Sequence, residues 1–133
     1  MVRIYYFNKV NSTNEKAKGF EENSVIIANE QTKGKGRFNR DWSSSRGGIY
    51  MSIVLGLEDI KMQYLTFIAA ISVFKAIKDY GIKTIIKWPN DLIYDGKKVC
   101  GILTQCVGGK SIIGIGVNTN NKIPKPLNKK GYH

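Results

Sequence analysis

An α+β domain with a mainly antiparallel, mixed β-sheet and helices packed on one face is what this 133-residue chain predicts, and three features predict it. Short β-rich runs are punctuated by the dipeptides Asp95-Gly96 and Gly108-Gly109, which favour tight hairpins. Apolar residues recur at helical spacing over only one long stretch. Strands do not alternate with helices along the chain, which argues against a Rossmann-type domain. The length suits a single domain, and 42% hydrophobic residues can fill its core.

Residues 2–7 are rich in β-formers and predict the first strand. Ser12 followed by Glu15 is a capping box, so a short helix starts there and ends near Gly19. Residues 24–28 predict a second strand. Residues 30–48 form a long polar, glycine-rich and cation-rich loop, a length that usually signals function. Residues 49–57 alternate and predict a strand. Leu65, Ile68, Ala69, Ser72, Val73, Ala76 and Ile77 share a helical face within residues 62–80, with Gly81 as the stop. Residues 82–88 predict a strand ended by Pro89. Hairpins then join residues 92–94, 99–106 and 111–117. Residues 1–120 form the expected domain, and 121–133 a polar tail rich in Lys, Asn and Pro.

Several function classes drop out on composition. The sole histidine is His133, so histidine acid–base catalysis and a Ser-His-Asp triad are not expected. Cys100 and Cys106, if on one strand, stand roughly 20 Å apart, too far for a disulfide, which needs Cα atoms within about 7 Å. No apolar run approaches the ~20 residues that span a bilayer. The N-terminus carries no signal-peptide pattern, so a cytoplasmic location is expected. The net charge is +11, and no acidic residue follows Asp95. Such an excess draws polyanions or phosphorylated ligands, although a solvated lysine-rich surface has the same composition.

Two segments carry candidate chemistry. Gly34-Lys35-Gly36-Arg37, continuing to Arg40-Asp41-Trp42, offers backbone N–H groups, cations and an aromatic ring to a phosphate chain. Trp42 can stack on a base, but taken alone it reads more simply as a core residue. The loop is not a Walker A motif: before Gly109-Lys110-Ser111, Thr104 stands where that motif needs glycine. Lys87-Trp88-Pro89-Asn90-Asp91 aims Asn90 and Asp91 at a strand mouth, where Asp91 suits Mg²⁺ or a ribose hydroxyl. Lys98 enters the next strand, where alternation can bring it to the same side and its ammonium can offset charge on a reacting carboxylate or phosphoryl group. Gly114 and Gly116 leave one face of the last strand bare, for a ligand or for a packed element.

These segments, together with Ser12-Thr13-Asn14, the run from Gly47 to Ser52 and the run from Lys98 to Leu103, resemble biotin protein ligases in order and spacing. The resemblance spans residues 11–120 and implies the class II synthetase-like biotin/lipoate ligase fold. It implies ATP and Mg as cofactors and biotin as substrate, joined as biotinyl-5′-AMP. The biotin would then pass to a lysine of a biotin carboxyl carrier protein, a subunit of acetyl-CoA or a related carboxylase. It also implies roles. Lys98, Lys35 and Arg37 would be catalytic. Ser12, Thr13, Asn14, Gln31, Gly34, Lys35, Gly36, Lys98 and Gly101 would hold biotin. Arg37, Arg40, Trp42, Asn90, Asp91 and Asn118 would hold ATP, with Asp91 at the metal. Lys35 stands where the family often has arginine, and Asn39 where it often has glycine; Asn tolerates a left-handed backbone. The family usually continues past the last strand, so an incomplete core is expected here. A homodimer through sheet edges is a further expectation, and no specific DNA site is. Three other readings stand beside this one: a lipoate or octanoate ligase-like enzyme, an inactive core, and a basic nucleic-acid-binding module.

Overall fold

The computed structural model describes residues 1–56 and 60–119, so the expected tail at 121–133 and residue 57 of the third expected strand lie outside it. Seven strands form one sheet: β1 (Arg3–Val10), β2 (Ser24–Gln31), β3 (Ile49–Leu55), β4 (Ile85–Lys87), β5 (Asp91–Tyr94), β6 (Lys97–Val107) and β7 (Lys110–Val117). Their order across the sheet is β1-β2-β3-β7-β6-β5-β4. Helix α1 (Thr13–Ala17) follows β1, and α2 (Met62–Lys78) leads from β3 toward the far edge. None of the described helices is long and apolar enough to cross a membrane.

The expected α+β class and mainly antiparallel sheet are present. Antiparallel pairing links every neighbouring pair except β1 and β2, which run parallel. A parallel pair needs a crossover, and α1 supplies it. The hairpin-only connectivity read from the turns therefore misses one β-α-β unit at the edge. The two glycine-bearing turns are as expected: Asp95 and Gly96 have φ of 52° and 73°, and Gly108 and Gly109 have 55° and 77°, as a type I′ turn requires at both central positions. Strand β4 is shorter than residues 82–88 suggest. It is an edge strand, with Ile82 and Ile85 largely exposed.

The sheet has two different faces. On one, Leu65, Ala69 and Ala70 of α2 pack on Leu92, Cys100, Ile102, Ile113, Ile115 and Val117. On the other, Ala17 of α1 packs with Ile26, Val54 and Ile112. The expectation of helices on a single face thus describes α2, while the five-residue α1 lies opposite. Its start is the expected capping box: Ser12 Oγ accepts from the Glu15 N–H at 3.3 Å. The two cysteines lie on β6 as free thiols.

Two buried acids tie stability to alkaline pH. Burial pushes the Cys100 thiol from 9.0 up to about 12, with Asp91 adding to the effect. Burial likewise pushes the Tyr50 phenol from 10.0 to about 12, with Glu30 adding. In the unfolded chain both ionise near their ordinary values, so there the unfolded state binds fewer protons than the folded one. Their contribution is complete below pH 9 and is lost as the pH rises toward 12. Urea denaturation between neutral pH and pH 11 is expected to show a falling midpoint above about pH 9, less steeply in a Tyr50→Phe variant.

Candidate functional site

A narrow, partly open cleft lies on the α1 face of the sheet. Its floor is β6 and β7 at Gly101, Gly114 and Gly116. These glycines are bare for a steric reason. A Cβ at Gly114 would strike the Asn14 side chain, and one at Gly116 the indole of Trp42. A Cβ at Gly101 would lie 3.2 Å from the same ring. The bare strand face thus receives Asn14 from α1 and Trp42 from the long loop. Trp42 is only 7% exposed and is at once a core residue and a wall of the cleft.

Lys98 reaches the cleft through a β-bulge. Asp91 pairs with Gly101 and Leu92 with Cys100, but Ile93 pairs with Lys98. Val99 is the extra residue. Strict alternation from Gly101 would put Val99 on the cleft side and turn Lys98 toward α2. The bulge reverses this: Val99 packs against the α2 core and Lys98 lines the cleft. Asn118 holds the bulge from β7's end, its N–H donating to the Val99 carbonyl at 2.7 Å and its Nδ2 to the Lys98 carbonyl at 3.5 Å. Lys98 Nζ lies 3.0 Å from Asp91 Oδ1 and 5.3 Å from the Trp42 ring centroid. A carboxylate and an aromatic face hold the ammonium half-buried at the cleft's middle.

The inner end of the cleft is neutral and densely hydrogen-bonded. Gln31 Oε1 accepts from the Thr13 N–H at 2.8 Å and from Thr13 Oγ1 at 3.2 Å. Ser52, wholly buried, places its Oγ 2.7 Å from Thr13 Oγ1 and 2.5 Å from Asn14 Oδ1. Asn14 Nδ2 donates to the Leu103 carbonyl at 3.3 Å and to Gln105 Oε1 at 3.2 Å. Ser12 closes this end beside the α1 N-terminus.

The outer end is cationic. Lys35 and Arg37 line it with Gly36 and Asn90. Lys35 Nζ pairs with Asp41 at 2.8 Å, and Arg37 Nη1 donates to Asn90 Oδ1 at 3.4 Å. Phe38 and Asn39 follow with φ of 59° and 60°. The left-handed position expected at Asn39 is present, and Phe38 shares it. The Phe38 ring is exposed, with the Arg37 and Arg40 guanidinium carbons 4.9 and 5.7 Å from its centroid.

Most of the residues singled out by the sequence therefore line one cleft. Gly34, Arg40, Asp91 and Asn118 stand behind or beside it. Gly34 accepts the Trp42 N–H at 2.8 Å, and a Cβ there would meet Ser44 Oγ and the Trp42 carbonyl at 2.5 Å. Arg40 lies on the loop's exposed side. Among the described residues no three His, Cys, Asp or Glu side chains converge on a metal-sized site. Asp91 offers one carboxylate already paired with Lys98, a donor set that fits Mg²⁺ carried on a polyphosphate better than a protein cage. The sequence reading gave no role to Ser44, Ser52 or Gln105. For Ser52 the signal was visible: it shares its parity on β3 with buried Tyr50 and Val54.

Comparison with known proteins shows the family of the chain. The model of the biotin/lipoate A/B protein ligase family matches residues 5–120. The bifunctional ligase/repressor BirA of Bacillus subtilis is 42% identical over 111 residues, covering 76% of this chain and 34% of that protein. A biotin–[acetyl-CoA-carboxylase] ligase of Paracoccus denitrificans is 30% identical over 124 residues, covering 84% of this chain and 52% of it. Among solved structures, the biotin protein ligase of Aquifex aeolicus in complex with biotin and ATP superimposes with a TM-score of 0.87 at 33% identity, over 99% of this chain and 58% of that one. The chain spans about a third of the length of the BirA relative and just over half of the Paracoccus and Aquifex proteins.

The floor makes a direct prediction. A Gly116→Ala variant must lift the Trp42 ring from β7, at a cost of about 1–3 kcal/mol. Urea unfolding is expected to show that loss, and the native tryptophan emission to shift to longer wavelength. An unchanged spectrum would mean that the ring does not rest on Gly116.

Proposed function

The chain belongs to the biotin/lipoate A/B protein ligase family, and from that membership we propose that it is the core of a biotin protein ligase. It binds biotin and Mg-ATP, joins them as biotinyl-5′-AMP with release of pyrophosphate, and passes the biotinyl group to a lysine of a carboxyl carrier protein in the cytoplasm. The observation that carries this reading is the placement of Lys98. It lines the same cleft as the neutral, hydrogen-bonding set Ser12, Thr13, Asn14 and Gln31 and the cations Lys35 and Arg37.

Each end suits one substrate. Ser12, Thr13, Asn14 and Gln31 offer donors and acceptors to the ureido ring of biotin, in a cleft that Trp42 and Asn14, seated on the glycines, help to wall. With the ring there, the carboxylate of the valeryl chain points toward Lys98, Lys35 and Gly34-Gly36. Arg37, Arg40 and Asn90 face the phosphates, Trp42 flanks the adenine side, and Asp91 and Asn118 complete the nucleotide end. Magnesium, when bound with the nucleotide, neutralises phosphate charge.

In the first step a carboxylate oxygen attacks the α-phosphorus and pyrophosphate departs. Two anions must approach each other, and negative charge builds on the equatorial oxygens. Lys98 and Arg37 offset that charge from fixed positions, which is where such a site accelerates the reaction. In the second step the uncharged amine of the carrier lysine attacks the anhydride carbonyl, and AMP leaves. In this reading no side chain of the enzyme is acylated, in keeping with the absence of histidine and cysteine among the described residues that line the cleft.

Incubation with Mg-ATP and equal amounts of biotin, lipoate and octanoate, followed by mass spectrometry, is expected to yield biotinyl-AMP alone. Lys98→Ala is expected to lower its formation about 10²–10³-fold. Lipoyl-AMP as the main product, or no adenylate at all, would overturn the reading for this chain.

A further inference from the structure

We propose that Ser44 is a positioning residue: a buried hydroxyl that sets how Gln31 presents its amide to the ligand and ties that end of the cleft to the Trp42–Lys98 end. The proposal rests on the reading of the cleft as a biotin site and adds a residue that does not line it.

The argument is proton accounting. Ser44 is 6% exposed, and its hydroxyl has one proton. That proton goes to the Trp42 carbonyl at 2.9 Å. The oxygen is then left to accept, and it does so from Gln31 Nε2 at 2.8 Å. On the other flank of the same amide, Oε1 takes the Thr13 N–H and the Thr13 hydroxyl. Turning the amide over would set Nε2 against the Thr13 N–H, donor against donor. One Nε2 hydrogen is left, and Gln31 lines the cleft. It is a single N–H donor of fixed direction, suited to a carbonyl oxygen on the ligand.

Backbone contacts hold the hydroxyl at this spot. The Gln31 N–H donates to the Ser44 carbonyl at 3.1 Å, and the Trp42 N–H to the Gly34 carbonyl at 2.8 Å. Gly34 packs so closely that a Cβ would lie 2.5 Å from Ser44 Oγ and 2.9 Å from Gln31 Nε2. One small polar group therefore fixes two things. It aims the Gln31 donor, and it holds the main chain of Trp42, whose ring lies under Lys98. Without the hydroxyl, Gln31 Nε2 loses the acceptor that aims it.

Isothermal titration with biotin, and separately with ATP, tests this on Ser44→Ala, Ser44→Cys, Gln31→Ala and the Ser44→Ala/Gln31→Ala double variant. Cysteine keeps the volume but bonds weakly, so it serves if the alanine variant does not fold. The expected result is a biotin Kd raised about tenfold in both Ser44 variants, with a clearly smaller loss for ATP, transmitted through the Trp42 main chain. In the Gln31→Ala background the Ser44 change is expected to add less than about twofold, because the amide it aims is gone. An unchanged biotin Kd would overturn the proposal and leave the biotin reading standing. An equal loss with and without Gln31, or an equal loss for ATP, would overturn it by making Ser44 a general structural residue. An unmodified chain that binds no biotin would overturn the biotin reading, and this inference with it.

Discussion

The cleft depends on a steric constraint: β6 and β7 carry no side chain at Gly101, Gly114 and Gly116. Into that gap come Asn14 from one side and Trp42 from the other, each close enough that a single methyl group would push it away. Everything polar in the site is then placed relative to these two. Asn14 carries Ser52 and, beside it, Thr13 and Gln31. Trp42 carries the ammonium of Lys98. A sheet face that larger residues would have filled from within the strands instead seats two side chains brought from elsewhere in the chain.

The second constraint is topological. A lysine at a buried position is costly unless it is paired, and Lys98 is paired with Asp91 across β5 and β6. That pairing exists because one extra residue, Val99, is inserted where β6 meets β5. The bulge thus sets which face Lys98 takes and is not a defect of the sheet. It allows a β6 that is apolar toward α2 to send one long cation the other way without breaking the core. The Asn118 side chain and backbone close the bulge from the adjoining strand, so the end of β7 belongs to the same device.

Much of this was legible in the residues. Asp95-Gly96 and Gly108-Gly109 fixed the hairpins because positive φ at both central positions leaves few alternatives. Ser12 and Glu15 marked the start of α1, and the apolar period marked α2. What could not be read depends on contacts distant in sequence. The parallel pairing of β1 with β2 has no local signal, since a five-residue helix is too short to look like a crossover. The bulge at Val99 is equally silent, because Lys97 to Val107 alternates plausibly in either register. Trp42 had two readings, base stacking and core, and it serves as core while lining the cleft. The parity of Ser52 with Tyr50 and Val54 marked it as buried, but the contacts of Ser44 appear only once Gln31 and Trp42 are in place, since a serine in a loop gives no hint of what it will face.

The cleft draws its walls from Ser12 near one end of the chain to Gly116 near the other, and its floor is the middle of the sheet. No local segment can form it, so it exists only when the whole sheet does. Anything that binds there and nowhere in the unfolded chain stabilises the entire fold, by an amount set by its concentration relative to its dissociation constant. The supply of any such ligand thereby becomes a thermodynamic variable of the protein: without it, the same molecules spend more time unfolded and within reach of proteolysis. A cleft assembled from strands right across the sheet makes the abundance of the protein sensitive to whatever occupies it.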